Sequence, residues 1–169
     1  MTKNSNIQYY VEGKDEEKLL SVLKTEMQKI LPGKVQVFNV ITQKITKARL
    51  MTLKEDTGVV LIFDTDVGDS KILRENIDKL VECTRVSDVL LIPQCKNLED
   101  ELVRSCQIRK IIELLDSTGN NNFKTDFIKT NNLKMKLEKA GFNIEKLWCG
   151  KPDGNFEGIR NDSGKIKIL

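Results

Sequence analysis

The sequence predicts an α/β fold: a central, mostly parallel sheet of four or five strands flanked by helices. Three observations lead there. Short apolar runs rich in β-branched residues recur along the chain, at residues 6–11, 58–63 and 89–92. Segments with apolar residues at helical spacing separate them. Two of the runs end in carboxylates, at Glu12 and at Asp64-Thr65-Asp66. Alternating strands and helices imply a parallel sheet with helices on its faces, and ligands of such sheets gather at the carboxyl ends of the strands.

The elements follow in order. Residues 6–11 are β-prone and end at Glu12-Gly13, a strand closed by a glycine turn. Residues 14–30 carry Leu19, Leu20, Val22, Leu23, Met27 and Ile30 at helical spacing, and Pro32-Gly33 stops that helix. Residues 35–41 read as a second strand. Residues 42–56 are polar and mostly basic, a loop or a short helix. Residues 58–63 form the most apolar run, a strand buried on both faces. Asp69 and Ser70 are placed to cap the next helix, which carries Ile72, Leu73, Ile77, Leu80 and Val81. Residues 86–93 give another buried strand. A polar stretch at 94–97 leads into helical patterning through Leu115. Residues 117–122 read as a loop, and residues 123–140 as a helix closed by Gly141. Residues 144–148 are a further strand candidate. From about residue 150 the chain reads as a loop-like C-terminal extension ending in a short edge strand. The 169 residues suit one domain over residues 1–169.

Composition narrows the chemistry. Hydrophobic residues are 39% and charged residues 31%, the balance of a globular chain. Aromatic residues are only 5%, which argues against a platform that stacks many nucleic-acid bases. The net charge of +3 does not by itself diagnose nucleic-acid binding. There is no histidine. That removes Ser-His-Asp and Cys-His catalysis and His-ligated zinc. Cys83, Cys95, Cys106 and Cys149 lack CxxC spacing and read as buried or half-buried thiols of a cytoplasmic protein. No apolar run approaches the roughly 18–20 residues that span a bilayer, so no membrane partner is expected.

The strand-end carboxylates are the main chemical signal. Asp64 and Asp66, two apart, share a face while the chain stays extended, so both can meet one ion. Gly13 lets the backbone beside Glu12 approach closely or adopt positive φ. Crowded carboxylates repel one another unless a cation intervenes, and hard oxygen ligands favour Mg²⁺ or Mn²⁺. A strand-end Asp-x-Asp taken alone is more often a turn or a helix cap. The order, spacing and strand context of the pair favour the metal.

Tyr10-Val11-Glu12-Gly13-Lys14-Asp15-Glu16 resembles the first motif of the Toprim family, a strand ending in Glu-Gly. Ile62-Phe63-Asp64-Thr65-Asp66 resembles the second, a strand ending in Asp-x-Asp. The resemblance covers residues 6–95 well and the rest loosely. It implies a Toprim-like, Rossmann-like sheet, with Glu12 as metal ligand or general acid-base residue and Asp64 and Asp66 as metal ligands. Asn97-Leu98-Glu99-Asp100-Glu101-Leu102 is similar to an acidic segment of the overcoming-lysogenization-defect nucleases and related phage-defence proteins. By that resemblance Glu99 is a further ligand and Glu101 its substitute; the opposing reading is an ordinary acidic first turn of a helix. Lys151 is the candidate to neutralise phosphate charge in the transition state, against the commoner role of a surface lysine.

The family resemblance implies a Mg²⁺-dependent nuclease acting on DNA or RNA, an effector of anti-phage defence with a separate ATPase partner. The alternatives are a maturase-like ribonuclease and a non-catalytic Toprim-fold assembly module. A homo-oligomer is compatible with each. Two basic sets are candidate phosphate contacts or plain solvated faces: Lys44, Lys47, Arg49 and Lys54, and Lys124, Lys129, Lys134, Lys136 and Lys139. Tyr9 and Tyr10 alternate across a strand, so one is expected in the core, and neither is expected to be a nucleophile.

Overall fold

Alternation along the apolar runs sets the architecture. A computed structural model describes residues 6–66, 68–115 and 123–169. Strands β1 (Asn6–Val11), β2 (Lys34–Val37), β3 (Thr57–Asp64) and β4 (Val86–Gln94) form one sheet in the order β2-β1-β3-β4. Every pairing is parallel. Helices α1 (Lys14–Ser21), α2 (Lys47–Met51), α3 (Lys71–Val81), α4 (Leu98–Ser105), α5 (Phe123–Lys129) and α6 (Leu133–Lys139) flank it. The α/β fold with four parallel strands is the one the sequence predicts.

Successive side chains of a strand point to opposite faces, so this sheet has two cores. Tyr9, Val11, Val60, Ile62, Leu90 and Ile92 face α1, α4, α5 and α6. Tyr10, Val59, Leu61, Phe63, Val89 and Leu91 face α3 and residues 38–53. Both tyrosines are therefore core, where one was expected. The Tyr9 hydroxyl donates to the Leu31 carbonyl at 2.7 Å, and the Tyr10 ring meets Phe38 edge-on at 5.6 Å.

The second strand stops at Val37, short of the expected Ile41. Phe38, Val40 and Ile41 leave the sheet and bury themselves in the second core. Asn76 of α3 fixes this excursion. Fully buried, it accepts from the Ile45 amide at 2.7 Å and donates to the carbonyls of Val40 and Gln43 at 2.9 and 2.8 Å. Asn76→Ala strands one buried backbone donor and two acceptors. We expect a loss of about 3 kcal/mol, read from the urea midpoint.

Other boundaries differ from expectation. The first helix turns π-helical over Val22–Glu26 and ends before residue 30. The helix expected over 123–140 is two helices, α5 and α6, and Gly141 closes the second at φ +69. Helical patterning to Leu115 resolves into α4 and a 3-10 turn at Ile111–Leu114. The Asp69 carboxylate caps α3 by accepting from the Lys71 amide at 2.8 Å, while the Ser70 hydroxyl bonds the Asn155 carbonyl instead. Residues 144–148 form turns rather than a strand. Ile144, Leu147 and Trp148 are buried from that turn, and Trp148 sits at φ +55, which no strand tolerates. The loop expected over 117–122 lies outside the described residues.

The C-terminal extension forms no edge strand; it makes a single antiparallel bridge, Ile30 to Lys167. It covers the open edge of β4 instead. The Asp162 amide donates to the Leu91 carbonyl at 2.8 Å, its carboxylate accepts from the Leu91 amide at 3.0 Å, and Arg160 bonds the Val89 carbonyl. An uncovered edge strand is a template for pairing with other chains, and these contacts remove that surface. No helix among the described residues is long and apolar enough to cross a membrane.

Candidate metal centre

The site begins at the carboxyl ends of β1 and β3, neighbours in the sheet. Glu12 follows β1, and its carboxylate accepts from the Asp64 amide at 3.3 Å. Two residues 52 apart in sequence thus meet at adjacent strand ends, as the sequence predicts. Gly13 between Glu12 and α1 is extended, at φ −141, so its use is close approach rather than positive φ. A Cβ there would fall 2.6 Å from Asp15 Oδ1. Glu16 reaches back and accepts from the Gly13 amide at 2.8 Å, which ties the turn to the helix start.

Asp64 is buried in the last residue of β3. Gln94, at the end of β4, donates its amide to Asp64 Oδ1 at 3.0 Å. Extended geometry stops there. The amides of Thr65 and Asp66 turn to the Lys96 carbonyl, at 2.9 and 3.2 Å. Asp66 is consequently exposed, not a second buried ligand on one face, and Asn97 donates to its carboxylate at 3.2 Å.

The electrostatics show how crowded this corner is. Burial, then the charges of Glu12, Glu16 and Asp66, push Asp64 up to about 9; Lys124 only partly offsets them. Burial and the adjacent Asp15 push Glu16 up to about 8 against the Gly13 hydrogen bond. Both carboxyls resist ionisation unless a cation offsets the crowding. Asp15 is buried too, and its Oδ2 lacks a hydrogen bond. Lys124, from α5, stands 3.5 Å from that oxygen, an ion-pair contact, and 3.8 Å from Glu99. Burial disfavours the Lys124 charge, but Asp15, Glu99 and Glu16 outweigh that and raise its pKa.

Sequence reasoning assigned no role at this site to Asp15, Glu16, Gln94 or Asn97, and it named Lys124 only within the second basic set. Asp15 and Glu16 had a signal, since they sit three and four residues past Glu12 in a helix start. The basic set could not single out Lys124, because only tertiary packing of α5 on α1 brings it here. Glu99 lies in the first turn of α4, joined to the cluster through Lys124. Glu101 is no substitute ligand. It is fully buried and accepts from the Cys95 and Trp148 amides, both at 2.8 Å, with Arg104 at 2.6 Å.

Lys151 is exposed, and among the described residues no hydrogen bond or ion pair draws it into the cluster. Its neighbour Gly150 packs on Cys95, just past Gln94. In the first basic set, Lys44 pairs with Glu75 at 2.6 Å across an exposed surface, the Arg49 guanidinium lies 4.0 Å over the Phe38 ring, and Lys47 and Lys54 are exposed. All four cysteines are unpaired. Cys106 is buried and pushed up to about 11, an inert thiol, whereas Cys149 is exposed against expectation.

The donor set is chemically suited to Mg²⁺ or Mn²⁺: all oxygen, crowded, and short of positive charge. It is not a ready-made cage. Among the described residues, no three carboxylate or thiol side chains stand close enough, as placed, to hold an ion. No family model matches the chain, and neither a curated protein nor a solved structure matches it.

Proposed function

We propose that this chain is a Toprim-like, Mg²⁺- or Mn²⁺-dependent nuclease that cleaves phosphodiester bonds of DNA or RNA. The observation that carries the reading is the meeting of Glu12 with Asp64 at adjacent strand ends, in a corner too acidic to ionise alone. Glu12, Asp64 and Asp66 would hold the ion, with Glu99 at the margin. A bound ion would supply Lewis-acid activation of water and neutralise charge on the phosphate.

The chain's own residues do the positioning. Gln94 fixes one Asp64 oxygen, Asn97 orients Asp66, and Glu16 locks the turn after Glu12. Lys124, 3.5 Å from Asp15, offers an ammonium to a phosphate at this corner, a better-placed role than the one expected of Lys151. The Toprim reading also brings a cytoplasmic setting, a role in phage defence and an ATPase partner as proposals. A maturase-like ribonuclease is one form of the same activity.

One observation favours a second reading, a binding or assembly module on the same fold: the carboxylates are not preassembled as a cage. Incubation with plasmid, single-stranded DNA and structured RNA in Mn²⁺ separates the two. The nuclease reading expects cleavage that EDTA abolishes. It also expects Asp64→Ala to cut the rate by more than the roughly 100-fold that loss of an outer-shell partner costs. No cleavage of any substrate, with Mn²⁺ bound, favours the module.

A further inference from the structure

A groove of about 420 Å³ runs along the outer side of α1, between it, the edge strand β2 and α5. Lys14, Lys18, Ser21 and Lys24 line one wall, and Val35 and Ile128 lie across from them. Lys14, Lys18 and Ser21 recur at helical spacing on α1, and Lys24 of the π-helical turn continues the stripe, about 15 Å in all. Glu17 is the one acidic residue in the lining, against three lysines. Two chain connections link the groove to the acidic cluster. Lys14 directly follows Gly13, whose amide Glu16 holds. On α5, Lys124 and Ile128 are four residues apart and share a face; the first reaches Asp15 and the second lines the groove.

A cluster of carboxylates repels a phosphodiester, so a strand presented to it needs basic support alongside. We infer that this groove is the track for a nucleic-acid backbone, seating successive phosphates on Lys14, Lys18 and Lys24. The inference rests on the nuclease reading of the adjoining cluster. The lysines are free to serve. Lys14 pairs with Glu17 at 2.7 Å across an exposed surface, a contact of little worth that a phosphate displaces. Lys24 donates to the Gly33 carbonyl at 2.7 Å, and among the described residues no carboxylate pairs with it. The lining holds no aromatic ring to stack a base, so the track reads backbone and not sequence.

Fluorescence anisotropy with 5′-labelled 12-mers of single-stranded DNA and RNA, in EDTA, tests the track without catalysis. Wild-type protein is expected to bind two unrelated sequences within about threefold of each other. Lys14→Gln with Lys18→Gln is expected to weaken binding at least tenfold at 50 mM salt. It should also lower the slope of log K against log salt by about 0.7 for each phosphate deprived of its lysine. Lys110→Gln with Lys146→Gln removes the same charge elsewhere and is expected to leave the slope unchanged. An equal loss in that control, or no binding by the wild type, overturns the track. Circular dichroism confirms that each variant is folded. The outcomes separate the two readings. Mn²⁺-dependent cleavage that is insensitive to Lys14 and Lys18 overturns the track alone. Groove-dependent binding with no Mn²⁺ uptake overturns the nuclease reading alone.

Discussion

Asp64→Asn raises the melting temperature of the metal-free protein at pH 8 by about 5 °C or more, an expected gain of about 2–3 kcal/mol. The sign follows from the carboxyl itself. Its folded pKa is raised, from 3.8 to about 9, by burial and by Glu12, Glu16 and Asp66. A group that holds its proton more tightly when folded lends stability that is complete below the unfolded value. That stability drains away as pH rises through the folded value. The wild type therefore weakens between about pH 4 and pH 9. Asparagine does not titrate. It keeps an acceptor for Gln94 and turns a donor toward the crowded carboxylates. Each pKa unit is worth about 1.4 kcal/mol, but relaxation and water entry absorb part of a shift this large. The gap between variant and wild type should close toward pH 4, while Glu16, also raised, to about 8, leaves both with a pH slope of their own. Mg²⁺ reverses the order. It lifts the wild type by mass action and leaves the asparagine variant flat. Thermal melts from pH 4 to pH 9, with EDTA or Mg²⁺, check both halves.

Glu101→Ala is expected to cost about 3–5 kcal/mol. This side chain joins three segments: the end of β4 through Cys95, helix α4 through Arg104, and the buried turn at Trp148. Truncation strands two backbone amides and a half-buried guanidinium. It also releases Trp148, whose φ of +55 is held against strain by bonds at both ends of its peptide. Glu101→Gln keeps one acceptor and should recover about half the loss. Urea titration gives the values. The loss should persist in saturating Mg²⁺, which separates this structural carboxylate from the metal set.

The contrast between Glu99 and Glu101 shows what sequence could reveal. Both stand in one acidic run, and nothing in that run says which is buried. Burial is decided by the turn at Trp148, 47 residues later. The sheet was far more legible. Residues 58–63 and 89–92 read as strands buried on both faces, because each run is short and apolar at successive positions. The same logic overreached at Phe38–Ile41 and at 144–148. Apolar residues there serve a buried loop and a buried turn, and composition cannot tell these from a strand. Glu12 and Asp64 were legible because parallel strands send their ends to one edge. Asp66 was not, because the bend at Thr65 depends on the Lys96 carbonyl from a neighbouring strand end.

The central claim is that the Glu12, Asp64 and Asp66 corner takes up a divalent cation. A crystal soaked in Mn²⁺ and measured at the manganese absorption edge tests it most directly. The account predicts an anomalous peak between the Glu12 and Asp64 carboxylates, with Asp66 turned toward it and Lys124 drawn back from Asp15. A map without a peak at that corner, with manganese bound elsewhere or nowhere, would contradict it.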